Sequence, residues 1–493
     1  MTALAKQEAP LAPLLPRTLT EQVRVLMCGS VDDGKSTLIG RLLWDSSAVF
    51  DDQHATILQA DGQPDFSRLV DGLTAEREQG ITIDIAWRYL DVDDRRIVII
   101  DSPGHEQYTR NMASGASHAD LAVLLVDARH GIKTQTRRHA ALLSLFGIRR
   151  VVVAINKMDL VDWSRERFEQ IARDFEGVAR GLAFTEVETV PISAKGGDNI
   201  VSRSAHTPWF GGPSLIDVLS VPQAELERDR SALRFPVQYV LREGRDFRGL
   251  AGTILSGQIA EGDAFRDAIS GRSAKVARIV TMGGDLRIAS AGQAVTIVPD
   301  RDLDISRGAL LSAPDDAPTL ADRVGARIVW LSETPYDPAS GYLLRTGTDT
   351  VPLSKFDVTS HLDLATISEK PAEGCSSNDI AVVSARLARP VALDTFNAGL
   401  GTGSILIVDA LTGATVAGGV VTEAAAADTT EDTGAFRLTR QMLGSGLCRD
   451  LGDAATDREE FRRRATEAAN LLAAAGIAVD LSDVLKPNAK EDA

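Results

Sequence analysis

The stretch Gly29-Ser30-Val31-Asp32-Asp33-Gly34-Lys35-Ser36 constrains this chain more than any other. It follows an apolar run, Val23–Cys28, that reads as a buried β-strand, and it precedes Thr37–Trp44, which reads as a helix. A glycine-rich turn closing on Lys-Ser between a strand and a helix is the pattern of a phosphate-binding loop. Its glycines let backbone N–H groups close around phosphate oxygens, and the helix N-terminus adds a partial positive charge. Lys35 is expected to reach the β- and γ-phosphates of a nucleotide, and the Ser36 hydroxyl to bind Mg²⁺. The candidate nucleotide-binding residues are therefore Gly29, Ser30, Val31, Asp32, Asp33, Gly34, Lys35, Ser36 and Thr37.

A second apolar strand, Ile97–Ile100, ends at Asp101, and Ser102-Pro103-Gly104-His105 follows. A carboxylate at the end of a buried strand beside a phosphate loop can hold Mg²⁺, directly or through water. The Gly104 N–H can approach a γ-phosphate because no side chain obstructs it, and His105 is then placed to orient the attacking water. Asp101, Ser102, Pro103, Gly104 and His105 join the candidate set, with His105, Lys35 and Gly104 as the catalytic candidates. Gly80-Ile81-Thr82 lies between the two motifs, and the Thr82 hydroxyl is expected to complete a metal shell with Ser36 and Asp101.

The run Val151–Ile155 leads into Asn156-Lys157-Met158-Asp159. A carboxylate at Asp159 can accept from N1–H and the 2-amino group of guanine, a pair that adenine does not offer. Asn156 can tie the loop to the base and the phosphate loop, while the Lys157 stem packs on the ring. Ser193-Ala194-Lys195 follows a further short strand, with the Ala194 N–H placed for the guanine O6. The ordered set of five elements within residues 29–195 implies a GTP-binding domain with GTP and Mg²⁺ as its ligands.

Short apolar runs at Val23–Cys28, Arg96–Ile100, Leu121–Val126 and Val151–Ile155 alternate with helical stretches. That alternation predicts an α/β domain with a mostly parallel sheet and helices on both faces, over residues 21–228. A strand is expected at Ile81–Leu90, after a long polar insertion over Asp45–Gly80. Beyond residue 230 helical periodicity fades. Runs such as Phe235–Leu241, Gly252–Leu255, Ala274–Val280 and Ala294–Val298 predict an antiparallel β-barrel over 229–318. A second barrel is expected over 319–422, built on Val324–Leu331, Tyr342–Thr346, Ile380–Leu387 and Ser404–Val408, with Pro314–Pro318 as a hinge. Glu423–Asp428 reads as an Ala-rich linker, and Thr456–Ala475 as an amphipathic helix opened by the capping pair Thr456 and Glu459. Residues 1–20 read as a loose tail.

The 53 Lys and Arg against 69 Asp and Glu leave a net charge of −16, which disfavours broad nucleic-acid binding. No apolar run approaches the length of a membrane helix. Cys28, Cys375 and Cys448 are far apart, with no metal-type spacing, which fits a reducing cytoplasm.

The motif set resembles translation-factor-type GTPases such as elongation factor Tu. Val31–Thr37 with Asp33 before the glycine, Gly104–Met112, Gln135–His139, Phe235–Val240, Asp246–Gly249 and Asp304–Gly308 are similar to one branch, the GTPase subunit of bacterial ATP sulfurylase. The resemblance implies a GTPase that works with a separate catalytic subunit, as a heterodimer or larger hetero-oligomer. That partner makes adenylyl sulfate and pyrophosphate from ATP and sulfate. The alternatives are a translation factor that binds aminoacyl-tRNA and a non-catalytic scaffold. Over 423–493, Gly446–Gly452 and Asp457–Arg463 look like a fragment of an adenylyl-sulfate kinase. No second phosphate-loop motif occurs after residue 36, so no kinase activity is expected there.

Overall fold

The computed structural model describes residues 21–46, 64–70, 82–92, 95–221, 231–243, 247–347, 349–397 and 401–426, and shorter pieces beyond 435, chiefly 455–474. Residues 1–20, most of the 45–80 insertion and Gly80-Ile81 lie outside the described residues. The chain divides into two units, Met1–Ala426 and Ala427–Ala493.

The first unit opens with six strands: β1 Glu21–Gly29, β2 Ala86–Val92, β3 Arg95–Asp101, β4 Leu121–Asp127, β5 Arg150–Asn156 and β6 Glu186–Pro191. They form one sheet in the order β2-β3-β1-β4-β5-β6, parallel except for β2. Alternation along β1 explains why both faces are covered. Val23, Val25 and Met27 join one core with helix α1 (Lys35–Asp45), through Leu38, Ile39 and Leu42. Leu26 and Cys28 join the other, with helices α2 (Thr109–Ala116), α3 (Thr134–Leu145) and α4 (Arg165–Ala179). Because β1 lies between β3 and β4, the chain leaves its carboxyl end at the point where strand order reverses, the usual ligand crevice of such sheets.

The expected strand Ile81–Leu90 begins later, at Ala86. The preceding residues are drawn away from the ladder: Asn111 donates to the Ile83 carbonyl (2.8 Å), and Thr82 turns toward Lys35.

Two antiparallel β regions follow. In the first, the expected strand Phe235–Leu241 is two strands, Arg234–Pro236 and Tyr239–Glu243, which pair with different neighbours. Pro236 has no N–H to continue a ladder, so the chain changes partner there. In the second, Tyr342–Thr346 pairs with both Ser404–Asp409 and Asp349–Asp363, which closes a six-stranded barrel. Val324, Ala326, Ile328 and Trp330 point into that barrel, whereas Val329, Ile380 and Val420 face outward into the core around α2, α3 and α4.

Glu423–Ala425, read from sequence as linker, is the end of the strand Thr415–Ala425, paired with Arg323–Gly325. The ladder overrides the weak strand preference of alanine. The expected hinge at Pro314–Pro318 is a turn, closed by a bridge between Ala313 and Asp316 and held by Arg234. Arg234 is 2% exposed and donates twice to Asp394 (2.8 and 2.9 Å) in the next domain. Thr402 donates to the same carboxylate (2.7 Å). Arg234→Met strands that buried charge and is expected to cost about 3 kcal/mol in chemical denaturation. The double variant with Asp394→Leu should recover most of the loss, because an apolar pair leaves no unpaired charge.

The second unit holds the helix Ala455–Ala474 and a parallel pair, Phe436–Arg437 with Val479–Asp480. Phe461, Ala465 and Ala468 share a small core with Leu443 and Cys448, in keeping with the expected apolar face.

Candidate functional site

The loop after β1 turns sharply because two positions adopt positive φ, Asp32 (64°) and Gly34 (94°). At Gly34 a Cβ would strike the Asn156 side-chain amide, so glycine is required there twice over. Asn156 is buried and joins three motifs: its amide donates to the Asp33 carbonyl (2.8 Å), and its Oδ1 accepts from the Ala194 N–H (2.9 Å). The Ala194 N–H is thus engaged by Asn156, whereas the sequence places it for the guanine O6. Ser193 is buried, and its hydroxyl accepts from Gly196 N–H (3.1 Å), shaping the turn that presents Ala194 and Lys195.

Lys35 opens α1 with its side chain buried. Its ammonium pairs with Asp101 and donates to Thr82 Oγ1 (2.9 Å). Thr82 and Asp101, from separate segments, therefore converge on one cation, and Ser36 is the next residue along the helix. An oxygen set of two hydroxyls and one carboxylate suits a hard cation such as Mg²⁺. The hydroxyl of Ser30 is buried and has no hydrogen-bond partner among the described residues, as expected of a loop built around an anion. Ser102 has another role than the one expected: it is fully buried, with its hydroxyl donating to the Met27 carbonyl (2.8 Å), and so fastens β3 to β1.

Gly104 passes directly over the phosphate loop. A Cβ there would lie 2.8 Å from the Gly29 carbonyl and 3.2 Å from the Val31 nitrogen. His105 follows, partly exposed, with its ring edge-on to Tyr108 at 6.3 Å between centroids.

A cavity of about 480 Å³ adjoins the loop, lined among others by Gly34, Thr37, Asn156, Lys157, Asp159 and Ala194. Asp159 is exposed within it. Phe66 and Arg129 also line it, and neither belongs to the phosphate-loop, Asp101–His105 or Asn156–Asp159 motifs.

Two further residues carry no motif in the sequence. Asp127, at the end of β4, is 1% exposed and holds Lys157 (3.0 Å) and Arg129 (2.7 Å). Burial alone would raise its pKa, but the hydrogen bonds from Arg129 and Lys157 outweigh it and hold the carboxyl well below the usual range. Lys133, just before α3, pairs with the buried Asp33 (2.8 Å), whose other oxygen accepts from the Ser30 N–H (2.9 Å). Such partners stand 100 residues apart, and only the fold brings them together.

Burial raises the Asp33 pKa, and Lys133 opposes the rise. A carboxyl with a raised folded pKa binds more protons folded than unfolded, so its ionisation takes stability away as pH rises through the window above the unfolded value. Lys133→Met removes the opposing charge and widens that window. The variant is expected to lose about 1–2 kcal/mol at pH 8 and to regain much of it at about pH 4, near the unfolded carboxyl value, read by denaturant titration at both pH values. A deficit equal at both pH values would reject the ion pair as its cause.

Residues 20–239 match the family model of the elongation factor Tu GTP binding domain, and residues 323–422 match the GTP-eEF1A C-terminal domain-like model. Sulfate adenylyltransferase subunit 1 of Methylorubrum extorquens is 48% identical over 81% of this chain and 87% of its own length. The subunit 1 of Alteromonas mediterranea is 45% identical over 83% of this chain and 88% of its own. The bifunctional enzyme NodQ of a Rhizobium species is 41% identical over 93% of this chain and 80% of its own.

Proposed function

Because the chain belongs to the sulfate adenylyltransferase subunit 1 family, we propose that it binds and hydrolyses GTP to drive adenylyl sulfate formation. The adenylyl transfer, from ATP and sulfate to adenylyl sulfate and pyrophosphate, takes place on a partner catalytic subunit. The observation that carries the reading is the convergence of Lys35, Thr82 and Asp101 beneath Gly104, beside the cavity that presents Asp159. We read the domains as a GTPase domain to about residue 228, β domains over 229–318 and 319–422, and a kinase-like fragment without kinase activity in 423–493.

Catalysis in this reading is positioning and charge neutralisation. The phosphate loop, from Gly29 to Thr37, wraps the phosphates with its N–H groups. A bound phosphate competes with Asp101 and Thr82 for the Lys35 ammonium, freeing both oxygens. Ser36, Thr82 and Asp101 would hold Mg²⁺, which supplies positive charge to the β- and γ-phosphate oxygens. Gly104 offers its N–H to the γ-phosphate, and His105 orients the attacking water. Asp159 reads guanine, and the Lys157 stem lies on the base. Asn156 and the Ser193-Ala194-Lys195 turn hold the base loop in register.

No helix among the described residues is long and apolar enough to cross a membrane. We place the protein in the cytoplasm, in a complex with its catalytic subunit and without nucleic acid. The test is co-purification with the catalytic subunit, followed by GTP turnover with and without sulfate and ATP. Sulfate-dependent stimulation of GTP hydrolysis is expected. Turnover indifferent to sulfate, in a complex that makes adenylyl sulfate equally well without GTP, would sink the coupling.

A further inference from the structure

The imidazole of His105 has no hydrogen-bond partner among the described residues; its ring stands edge-on to Tyr108. Its position therefore depends on how the backbone on either side is held. That backbone is gripped from two domains.

On the GTPase side, Arg138 of α3 pairs with the Glu106 carboxylate (2.9 Å), and its guanidinium also donates to Gln135 Oε1 (2.7 Å). With its oxygen so engaged, the Gln135 amide nitrogen faces the Gly104 carbonyl (3.4 Å) and the Nε2 of the buried His139 (2.9 Å). Burial, with help from Arg138 and Lys35, lowers the His139 pKa to about 3, so this ring is neutral and can accept from Gln135. On the other side, Asn378 of the closed barrel donates to the Glu106 carbonyl (3.2 Å). Four residues after Glu106, Arg110 donates to the Thr415 carbonyl (3.1 Å) of the same barrel.

Asn378 is not a casual surface contact. It sits at φ 70° in a turn whose N–H donates to the Trp330 carbonyl (2.8 Å). The next residue, Asp379, accepts from the Trp330 N–H (2.9 Å) and caps Ser376 (2.8 Å). Trp330 is 1% exposed in the barrel core. The Asn378 side chain thus extends from a rigid point of one domain to the residue after the water-orienting histidine of another.

We propose that Asn378 and Arg138 are positioning residues for GTP hydrolysis, which makes the closed barrel part of the apparatus that places His105. The proposal rests on the reading of His105 as the residue that orients water. Any event that shifts the barrel, such as docking of the catalytic subunit, then alters turnover through Glu106 without touching the nucleotide.

The test is single-turnover GTP hydrolysis by the full chain, with protein in excess, for Asn378→Gly, Asn378→Asp, Arg138→Met and Arg138→Lys. Glycine keeps the positive φ and removes the side chain; aspartate keeps the shape and removes the donor. Losing one positioning hydrogen bond is expected to slow hydrolysis about three- to tenfold. GTP affinity and melting temperature should stay at parental values, and Arg138→Lys should restore part of the rate lost in Arg138→Met. A merely structural role would move affinity or melting temperature together with the rate. Parental hydrolysis in both Asn378 variants, beside an inactive His105→Ala, overturns the proposal alone. Parental hydrolysis in His105→Ala overturns the reading of His105 and the proposal with it.

Discussion

His105→Ala is expected to leave GTP affinity within about twofold of the parent and to lower hydrolysis by about 10²- to 10³-fold, the range for a positioned group acting on the attacking water. The first half of that expectation follows from what the side chain does not do. It makes no hydrogen bond to a described residue, and it lies outside the cavity that presents Asp159. The contacts that bring its backbone to the phosphate loop belong to Gly104, whose missing Cβ permits the approach to Gly29 and Val31. Truncation at Cβ therefore keeps the approach and removes only the imidazole. The second half follows from charge. In the proposed mechanism Lys35, the loop N–H groups and the metal-holding residues act on phosphate oxygens, and none of them orients water. His105→Gln, which still offers hydrogen bonds, should fall between the two. Single-turnover hydrolysis and displacement of a fluorescent GDP read the two halves separately. Parental turnover in the alanine variant would remove His105 from the mechanism.

The phosphate loop, the Asp101–His105 segment and the Asn156–Asp159 segment are legible in the sequence because each is a contiguous stretch whose chemistry needs fixed residues at fixed spacing. The alternation of strands and helices is legible for a similar reason: β4 and β5 are buried from end to end and apolar except at their ends (Asp127, Arg150 and Asn156), as strands covered on both faces must be. What the sequence hides is pairing between distant residues. Arg234 and Asp394 stand 160 positions apart, and Lys133 and Asp33 stand 100 apart. Arg234, Asp394 and Lys133 each look like an ordinary surface charge until the fold brings the partner to it. Local readings also yield where the ladder decides. Glu423–Ala425 carries alanines that suggest a linker, and Ile81–Ile85 carries β-branched residues that suggest a strand. The first is strand, because Arg323–Gly325 lies beside it with open hydrogen bonds. Within the second, the described residues leave the ladder, because Thr82 and Ile83 are held by Lys35 and Asn111.

The buried pairs have a common arrangement. Asp33 meets Lys133, Asp101 meets Lys35, and Asp127 meets Lys157 and Arg129, all around the nucleotide loops. Each carboxylate is almost fully buried and each has a cation in contact. A net charge of −16 can therefore coexist with an anion-binding loop, because the buried carboxylates around that loop each stand against a cation. In the proposed mechanism the positive charge offered to a nucleotide is local: Lys35, once a phosphate displaces Asp101 from it, and the N–H groups of a helix start.

Asp159→Asn is expected to weaken GTP binding by about 10³-fold and to reverse the preference between GTP and xanthosine triphosphate, since a site built on paired polar groups rejects a mismatched base strongly. The Asp159 carboxylate offers two acceptors, matching N1–H and the 2-amino group of guanine. Asparagine keeps one acceptor and presents an amide donor where the second stood, so donor faces donor. Xanthine carries a carbonyl in place of the 2-amino group and satisfies that donor. The fold should tolerate the change, because Asp159 is exposed on the short turn Met158–Val161. The loop's own anchors lie elsewhere: Lys157 on Asp127, and Asn156 on Asp33 and Ala194. Arg129 lies within electrostatic reach of Asp159 but is held by Asp127, so it stays in place when the Asp159 charge is removed. Competition of GTP and xanthosine triphosphate against a fluorescent GDP analogue, on parent and variant at equal salt, measures the reversal directly. An unchanged preference would mean that the base is read by other groups in the cavity, with Arg129 and Phe66 the first to replace.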